Sequence, residues 1–161
     1  MKKFQTTLIL LIALFGINSF AAAQKVLLDE DFNTNKNNWP SYLGPRLNYL
    51  IYNGKYIIGI NDSLTYNIAM PVTVDDGINF TITVTTTHTD GVNTYGYGIY
   101  FGSSDLNNYY FFSITSGGYF RLGKSVPSGF TDIVAWTKTA AVHTGDYVDN
   151  IRQVSRQGAN W

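Results

Sequence analysis

One ten-residue stretch constrains the fold more than any other. From Ile78 to Thr87 the chain reads INFTITVTTT, with Ile78, Phe80, Ile82 and Val84 at one parity and Asn79, Thr81, Thr83 and Thr85 at the other. A period of two places successive side chains on opposite faces of an extended chain, so this is a half-buried strand with its threonine face toward solvent. The same signature returns at Tyr49–Tyr52, Lys55–Ile60, Thr65–Met70, Tyr95–Phe101, Tyr109–Thr115, Tyr119–Leu122 and Ile133–Trp136. Turn-forming residues separate these runs: Asn53-Gly54, Asn61 to Ser63, Asp75 to Gly77, Asp90-Gly91, Ser103 to Asp105 and Ser116 to Gly118. Asn53-Gly54 and Gly117-Gly118 read as tight hairpin turns. No helical periodicity stands out after the first two dozen residues, and no solenoid or propeller repeat is visible. Many short strands at this spacing predict an all-β fold, an antiparallel two-sheet β-sandwich or a barrel. The Asn-rich segment Asp31–Pro45, with Pro40 and Pro45, predicts a long irregular loop.

The N-terminus carries an address. Lys2 and Lys3 precede an apolar run from Leu8 to Phe15, and Ala21 to Ala23 supply small residues for cleavage. This is the pattern of a secretory signal peptide over residues 1–23. The apolar run breaks at Gly16, Asn18 and Ser19, short of the roughly 20 residues a membrane-spanning helix needs. Cleavage before Gln24 leaves residues 24–161 as one β-domain with nine basic and eleven acidic side chains. The expected destination is export: periplasm, cell surface or extracellular space, with no membrane span after signal removal. A near-neutral balance argues against nucleic acid as a partner, since that affinity rests on clustered Lys and Arg. The absence of cysteine removes disulfides, thiolate metal sites and thiol nucleophiles.

The ordered motifs carry a resemblance. Leu28–Phe32 (LDEDF) with Asn38-Trp39, then Asn53–Ile58 (NGKYII), Phe80–Val84 and Tyr97–Phe101 (YGIYF) come in sequence. Asp105–Ile114 (DLNNYYFFSI), Gly118–Leu122 and Trp136 follow. Together they resemble the concanavalin A-like lectin/glucanase superfamily in its small laminin-G-like, exported bacterial form, over roughly residues 27–155. The resemblance implies a jelly-roll sandwich. In that family a strand like Asn150–Val154 leads into a "vNG" hairpin and a closing strand, which here would begin at Trp161. The resemblance therefore implies a domain truncated at its C-terminal end, lacking its last strands and leaving an open sheet edge; the alternative is a shorter sandwich that ends naturally at Trp161.

Chemistry-bearing patterns are few. Gly118–Ser125 matches the phosphate-loop spacing, but bulky alternating residues fill it, and Pro127 and Gly129 follow where a helix should open, so no nucleotide is expected. Gly96 and Gly98 lack the third glycine of a dinucleotide fingerprint at the right place. Glycoside hydrolysis needs two carboxylates across the bond. The chain has one Glu, Glu30, and no Glu-x-Asp-x-Glu strand, while Asp105, Asp132 and Asp146 carry no telling spacing. No nucleophile elbow is present and His88 and His143 show no partnering pattern, so no catalytic residue is assigned.

Two binding expectations remain. Asp29, Asp31, Asp149 and Asn150 resemble the terminal residues that clasp a structural Ca²⁺ in related sandwiches; Ca²⁺ favours such oxygen donors, though no cofactor is required. Aromatic residues are abundant, and Tyr109–Phe112 puts them on both faces of one strand. Phe80, Tyr97, Phe101, Phe112 and Phe120 are expected inside. Trp39, Tyr100, Tyr109, Phe111, Arg121 and Trp136 are candidates for an outer row that stacks on sugar rings. The first reading is an exported, non-catalytic module that binds a carbohydrate or another cell-surface polymer. A glycan hydrolase or lyase of the same superfamily, and a structural or adhesion module of a longer surface protein, stand as alternatives.

Overall fold

The computed structural model of the protein describes residues 25–69, 72, 74, 78–105 and 107–158; residues 1–23, with their signal-like pattern, Met70, the expected turn at Asp75 to Gly77, and Trp161 lie outside them. Among the described residues the fold is all-β, with antiparallel pairing throughout and no helix. The chain divides into two compact units, one holding the described residues up to Leu64, the other holding Thr65–Ala69 and the described residues from Val74 on.

The first unit is a three-stranded sheet in the order β1 (Tyr42–Leu43), β2 (Leu47–Tyr52), β3 (Lys55–Ile60). The β2–β3 hairpin turns at Asn53 and Gly54, whose φ angles of 51° and 68° lie in the left-handed region. Asn tolerates that region and Gly adopts it freely, which is why this dipeptide closes a two-residue hairpin whose twist suits the strands. The Asp31–Pro45 loop is held against the sheet by its own side chains. Glu30 accepts from the Phe32 amide (2.9 Å), from Asn37 Nδ2 (2.6 Å) and from Trp39 Nε1 (3.1 Å). The Trp39 ring then packs on Tyr56 at 4.9 Å and edge-on to Phe32 at 5.1 Å between centroids. Tyr56 donates its hydroxyl to the Pro40 carbonyl at 2.7 Å, and burial, reinforced by Tyr49, pushes its phenol up to about 12.

These bonds set a pH dependence. Partial burial alone would raise the Glu30 carboxyl, but the three donors and Lys36 outweigh it and hold the group below its ordinary value of 4.5. A depressed carboxyl contributes stability above its unfolded value and loses it as pH falls through the lowered folded value. The indole Nε1–H resonance of Trp39 is therefore expected to stay constant at neutral pH and to shift only in acid, below the ordinary carboxylate range. Glu30→Gln should remove that titration; an unchanged acid shift in the variant would show that Glu30 does not hold the loop.

The second unit contains a two-stranded sheet, β4 (Phe80–Thr87) with β9 (Asp149–Arg156). It also contains a four-stranded meander in the order β5 (Tyr97–Asp105), β6 (Asn108–Ile114), β7 (Tyr119–Val126), β8 (Gly129–Lys138). The expected alternation on β4 holds: Thr81, Thr83 and Thr85 are exposed, and Phe80, Ile82 and Val84 are half-buried. Ile78 departs from it, lying before the strand and 43 % exposed. On β9 the inward parity is polar, with Asn150 and Arg152 buried opposite Thr86 and Val84, while Ile151 faces out.

Pairing registers divide the meander into two faces. Tyr97, Ile99 and Phe101 pair with Ile114, Phe112 and Tyr110, which pair in turn with Phe120, Leu122 and Lys124. This face forms the interior: Ile114 is 1 % exposed, Phe101 is buried, and Phe112 meets Phe120 edge-on at 6.5 Å. The five aromatics expected inside are buried or half-buried. Arg152 reaches from β9 to this region, donating from Nη1 to the Tyr97 carbonyl at 2.9 Å. Gly98, on the other face, has no room for a side chain: a Cβ there would overlap the Phe112 carbonyl oxygen and stand 2.8 Å from Ser113 Cα. Gly98→Ala must separate β5 from β6, and a loss of about 3 kcal/mol is expected in urea unfolding. A loss within measurement error would show that the two strands can part freely.

Several sequence expectations need correction. Thr65–Ala69 alternates like a strand but is not one; Asn67 instead donates its amide to the Tyr109 hydroxyl at 2.9 Å, so the segment is tied to β6 by a side chain and has no backbone ladder. Strand β1 was not foreseen, and β7 and β8 run longer than their apolar stretches because the Pro127-Ser128 turn lets polar residues continue the ladder from Val126 to Gly129. Gly118 φ is 89° in the turn before β7, and the rest of the phosphate-loop look-alike is paired strand.

Candidate functional site

The outer face of the meander gathers five of the six candidate aromatic and Arg positions. Tyr100 pairs with Phe111, Phe111 with Gly123, Ser113 with Arg121, and Tyr109 with Ser125, so all share one face. On β8, Phe130 and Asp132 join it through Ser125 and Gly123. The β7–β8 ladder shifts register past Leu122, and this irregularity brings Trp136 back beside Arg121.

Glycines shape this face by leaving space. A Cβ on Gly123 would run into the Phe111 ring and stand 2.8 Å from the Thr131 carbonyl oxygen. A Cβ on Gly96 would meet Trp136 Cη2 at 2.7 Å. Both rings therefore lie low over the strands. The Arg121 guanidinium sits between them, 5.1 Å from the Phe111 centroid and 5.9 Å from Trp136, within cation–π range. Its Nε donates to Asp132 Oδ1 at 2.5 Å. That bond leaves both Nη groups of Arg121 and the second oxygen of Asp132 uncommitted within the described structure. Phe130 closes the row edge-on to Phe111 at 5.9 Å.

The row is open at one end and covered at the other. Phe130 is 62 % and Trp136 41 % exposed, whereas Tyr109 is buried with its hydroxyl accepting from Asn67. Tyr100 lies 5.3 Å from Tyr109, and its buried hydroxyl has no hydrogen-bond partner. Burial, then Tyr109, pushes the Tyr100 phenol upward. Tyr100 and Tyr109 thus brace the platform, and Phe111, Arg121, Phe130, Asp132 and Trp136 form its accessible part. Phe130 and Asp132 were missed as members because parity within one strand does not reveal which parity the neighbouring strand aligns with it.

Trp39, the sixth candidate, belongs to the first unit, where its ring and indole N–H serve the Glu30 loop. The four residues proposed for Ca²⁺ divide likewise. Asp29 and Asp31 lie in the first unit, Asp31 accepting from Asn33. Asp149 accepts from the Thr87 hydroxyl, and the Asn150 amide is spent on the His143 backbone, accepting at 2.8 Å and donating at 3.0 Å. Among the described residues no group of three or more His, Asp and Glu side chains could hold a metal ion. Nor is any helix long and apolar enough to cross a membrane.

His88, which shows no partnering pattern in the sequence, has partners in the structure. Its Nδ1 lies 2.6 Å from Asp146 Oδ1, its ring stacks on Tyr97 at 5.8 Å, and its carbonyl accepts from the Tyr147 amide at 2.7 Å. The two partners are 58 positions apart, so no local spacing could announce them. No family model matches the chain, and no curated protein or solved structure matches it either. The likeness to concanavalin A-like domains thus rests on the ordered motifs that carry it.

Proposed function

We propose that this chain is an exported, non-catalytic β-sandwich module of the concanavalin A-like, jelly-roll kind that binds a carbohydrate or another cell-surface polymer on the outer face of the β5–β8 sheet. The observation that carries this reading is the Phe111–Arg121–Trp136 row, extended by Phe130. It offers apolar ring faces for the C–H surfaces of sugars, with donors and an acceptor between them for hydroxyls. The accessible carboxylate in the row, Asp132, is paired with Arg121, which favours binding over hydrolysis. An extended row along a sheet suits a chain-like ligand better than a single small molecule. Export follows from the signal-like residues 1–23.

The direct test is depletion of the purified chain from solution by insoluble cellulose, chitin, β-1,3-glucan and peptidoglycan. Saturable retention on at least one of them, reversed by soluble oligosaccharide of the same kind, is the expected result. Release of reducing sugar during the incubation would favour the hydrolase reading. Retention on none, with an intact fold, would favour a structural module.

A further inference from the structure

A polar depression lies at the end of the meander where β6 turns into β7, two residues along β8 from Trp136. Asn93, Ser116, Gly117, Lys138, Thr144 and Asp146 line it, and it is open to solvent with a volume of about 600 Å³. Its walls are built by fixed backbone bonds: Gly117 donates to the Asn93 carbonyl at 2.9 Å and Gly145 to the Ser116 carbonyl at 3.0 Å. The loop from residue 143 is stapled by the Asn150 amide and by the His88–Asp146 contact. Gly145, at φ 103°, takes a backbone conformation that residues with side chains rarely adopt. This is a preorganised concavity, held open from both sides.

The polar groups inside it are largely unspent. Ser116 is 3 % exposed, and its buried hydroxyl has no hydrogen-bond partner. A buried polar group left unpaired is costly and calls for a partner. The Asn93 side-chain amide and the Thr144 hydroxyl make no hydrogen bond within the described structure. Lys138 makes a long 3.4 Å contact to the Gly117 carbonyl and lies 5.1 Å from the Tyr119 ring centroid, and one Asp146 oxygen contacts His88. The lining therefore mixes donors and acceptors and carries one ammonium and one carboxylate.

We propose that this depression is a second binding site, separate from the aromatic row, for a small neutral polyol of sugar size. Vicinal hydroxyls both donate and accept, which matches the Asn93 amide, the Thr144 hydroxyl and one Asp146 oxygen, the Ser116 hydroxyl lying beneath them out of reach. An anionic ligand would gain Lys138 but meet Asp146, and a cation would meet Lys138. The site stands whether or not the aromatic row binds a polymer.

The test is a ¹H–¹⁵N titration of the whole chain with D-glucose, D-galactose and N-acetyl-D-glucosamine, each to tens of millimolar, and with D-glucuronate as the charged comparison. Saturable shifts confined to residues 91–93, 116–118 and 144–146 are expected for at least one neutral sugar. Asn93→Ala and Thr144→Val should each weaken that binding by about tenfold while leaving the rest of the spectrum in place. The proposal is overturned by no saturable shift in that cluster with any neutral sugar, by binding of glucuronate alone, or by both variants binding like the unaltered chain.

Discussion

Arg152→Ala is expected to destabilise the second unit by about 3 kcal/mol, lowering its melting temperature by about 15 °C. Arg152 is 3 % exposed on the inward parity of β9, where an apolar residue would ordinarily pack. Its guanidinium lies 5.4 Å from the Tyr97 ring centroid, and its Nη1 and Nη2 serve the Tyr97 carbonyl and the Thr86 hydroxyl. Among the described residues no carboxylate pairs with it; burial pushes its pKa down to about 10, and the penalty on the charged form is present at every pH below that value. Alanine would open a large cavity and take the donor from two half-buried acceptors at the point where β9 reaches β5. Arg152→Met keeps most of the volume and removes the buried charge, so its loss should be about 1 kcal/mol, since replacing buried charge by apolar volume is often nearly neutral. Urea unfolding of both variants checks this. Equal losses would mean that hydrogen bonding, not volume, dominates. No loss in either would mean that the Arg152 bridge contributes nothing.

Binding should depend as strongly on the guanidinium at the centre of the aromatic row. Arg121→Ala is expected to weaken retention on the cognate polysaccharide by about 30-fold, equivalent to about 2 kcal/mol, the scale of a central hot spot. The argument is positional. Arg121 holds the gap between Phe111 and Trp136, and without it the row loses both a stacking partner and its free Nη donors. Asp132→Asn keeps the side-chain shape and one acceptor but releases the charged contact, so a smaller, roughly fivefold weakening should follow. The two variants compared by binding isotherm separate the roles. If Asp132→Asn weakens binding more than Arg121→Ala, the carboxylate is the ligand contact and Arg121 merely positions it.

Much of the strand content was legible because period two is a local property. Phe80–Thr87 and the Asn53-Gly54 hairpin depend only on neighbours in the chain. The pairing of β9 with β4 was not legible, since it joins residues about seventy positions apart and nothing in either strand names the other. Thr65–Ala69 misled for a related reason: alternation records a preference for extension, but a strand also needs a partner ladder, and this segment forms none, although the Asn67 side chain ties it to β6. The site was half legible. Each strand announced its aromatic parity, yet Phe111 and Trp136 come together only through the β7–β8 irregularity and the space left by Gly96 and Gly123. Trp39 looked equivalent in sequence and is used instead to close the Glu30 loop.

That contrast supplies the most direct test. Trp136→Ala and Trp39→Phe should be compared in one binding isotherm, on the polysaccharide that retains the unaltered chain. Trp136→Ala is predicted to lose at least about 30-fold in affinity while remaining folded, because part of its ring is accessible on the platform. Trp39→Phe is predicted to bind within about twofold of the unaltered chain while melting lower, because it gives up the Glu30 contact. Unchanged affinity in Trp136→Ala, or a loss confined to Trp39→Phe, would contradict the placement of the binding face on the β5–β8 sheet.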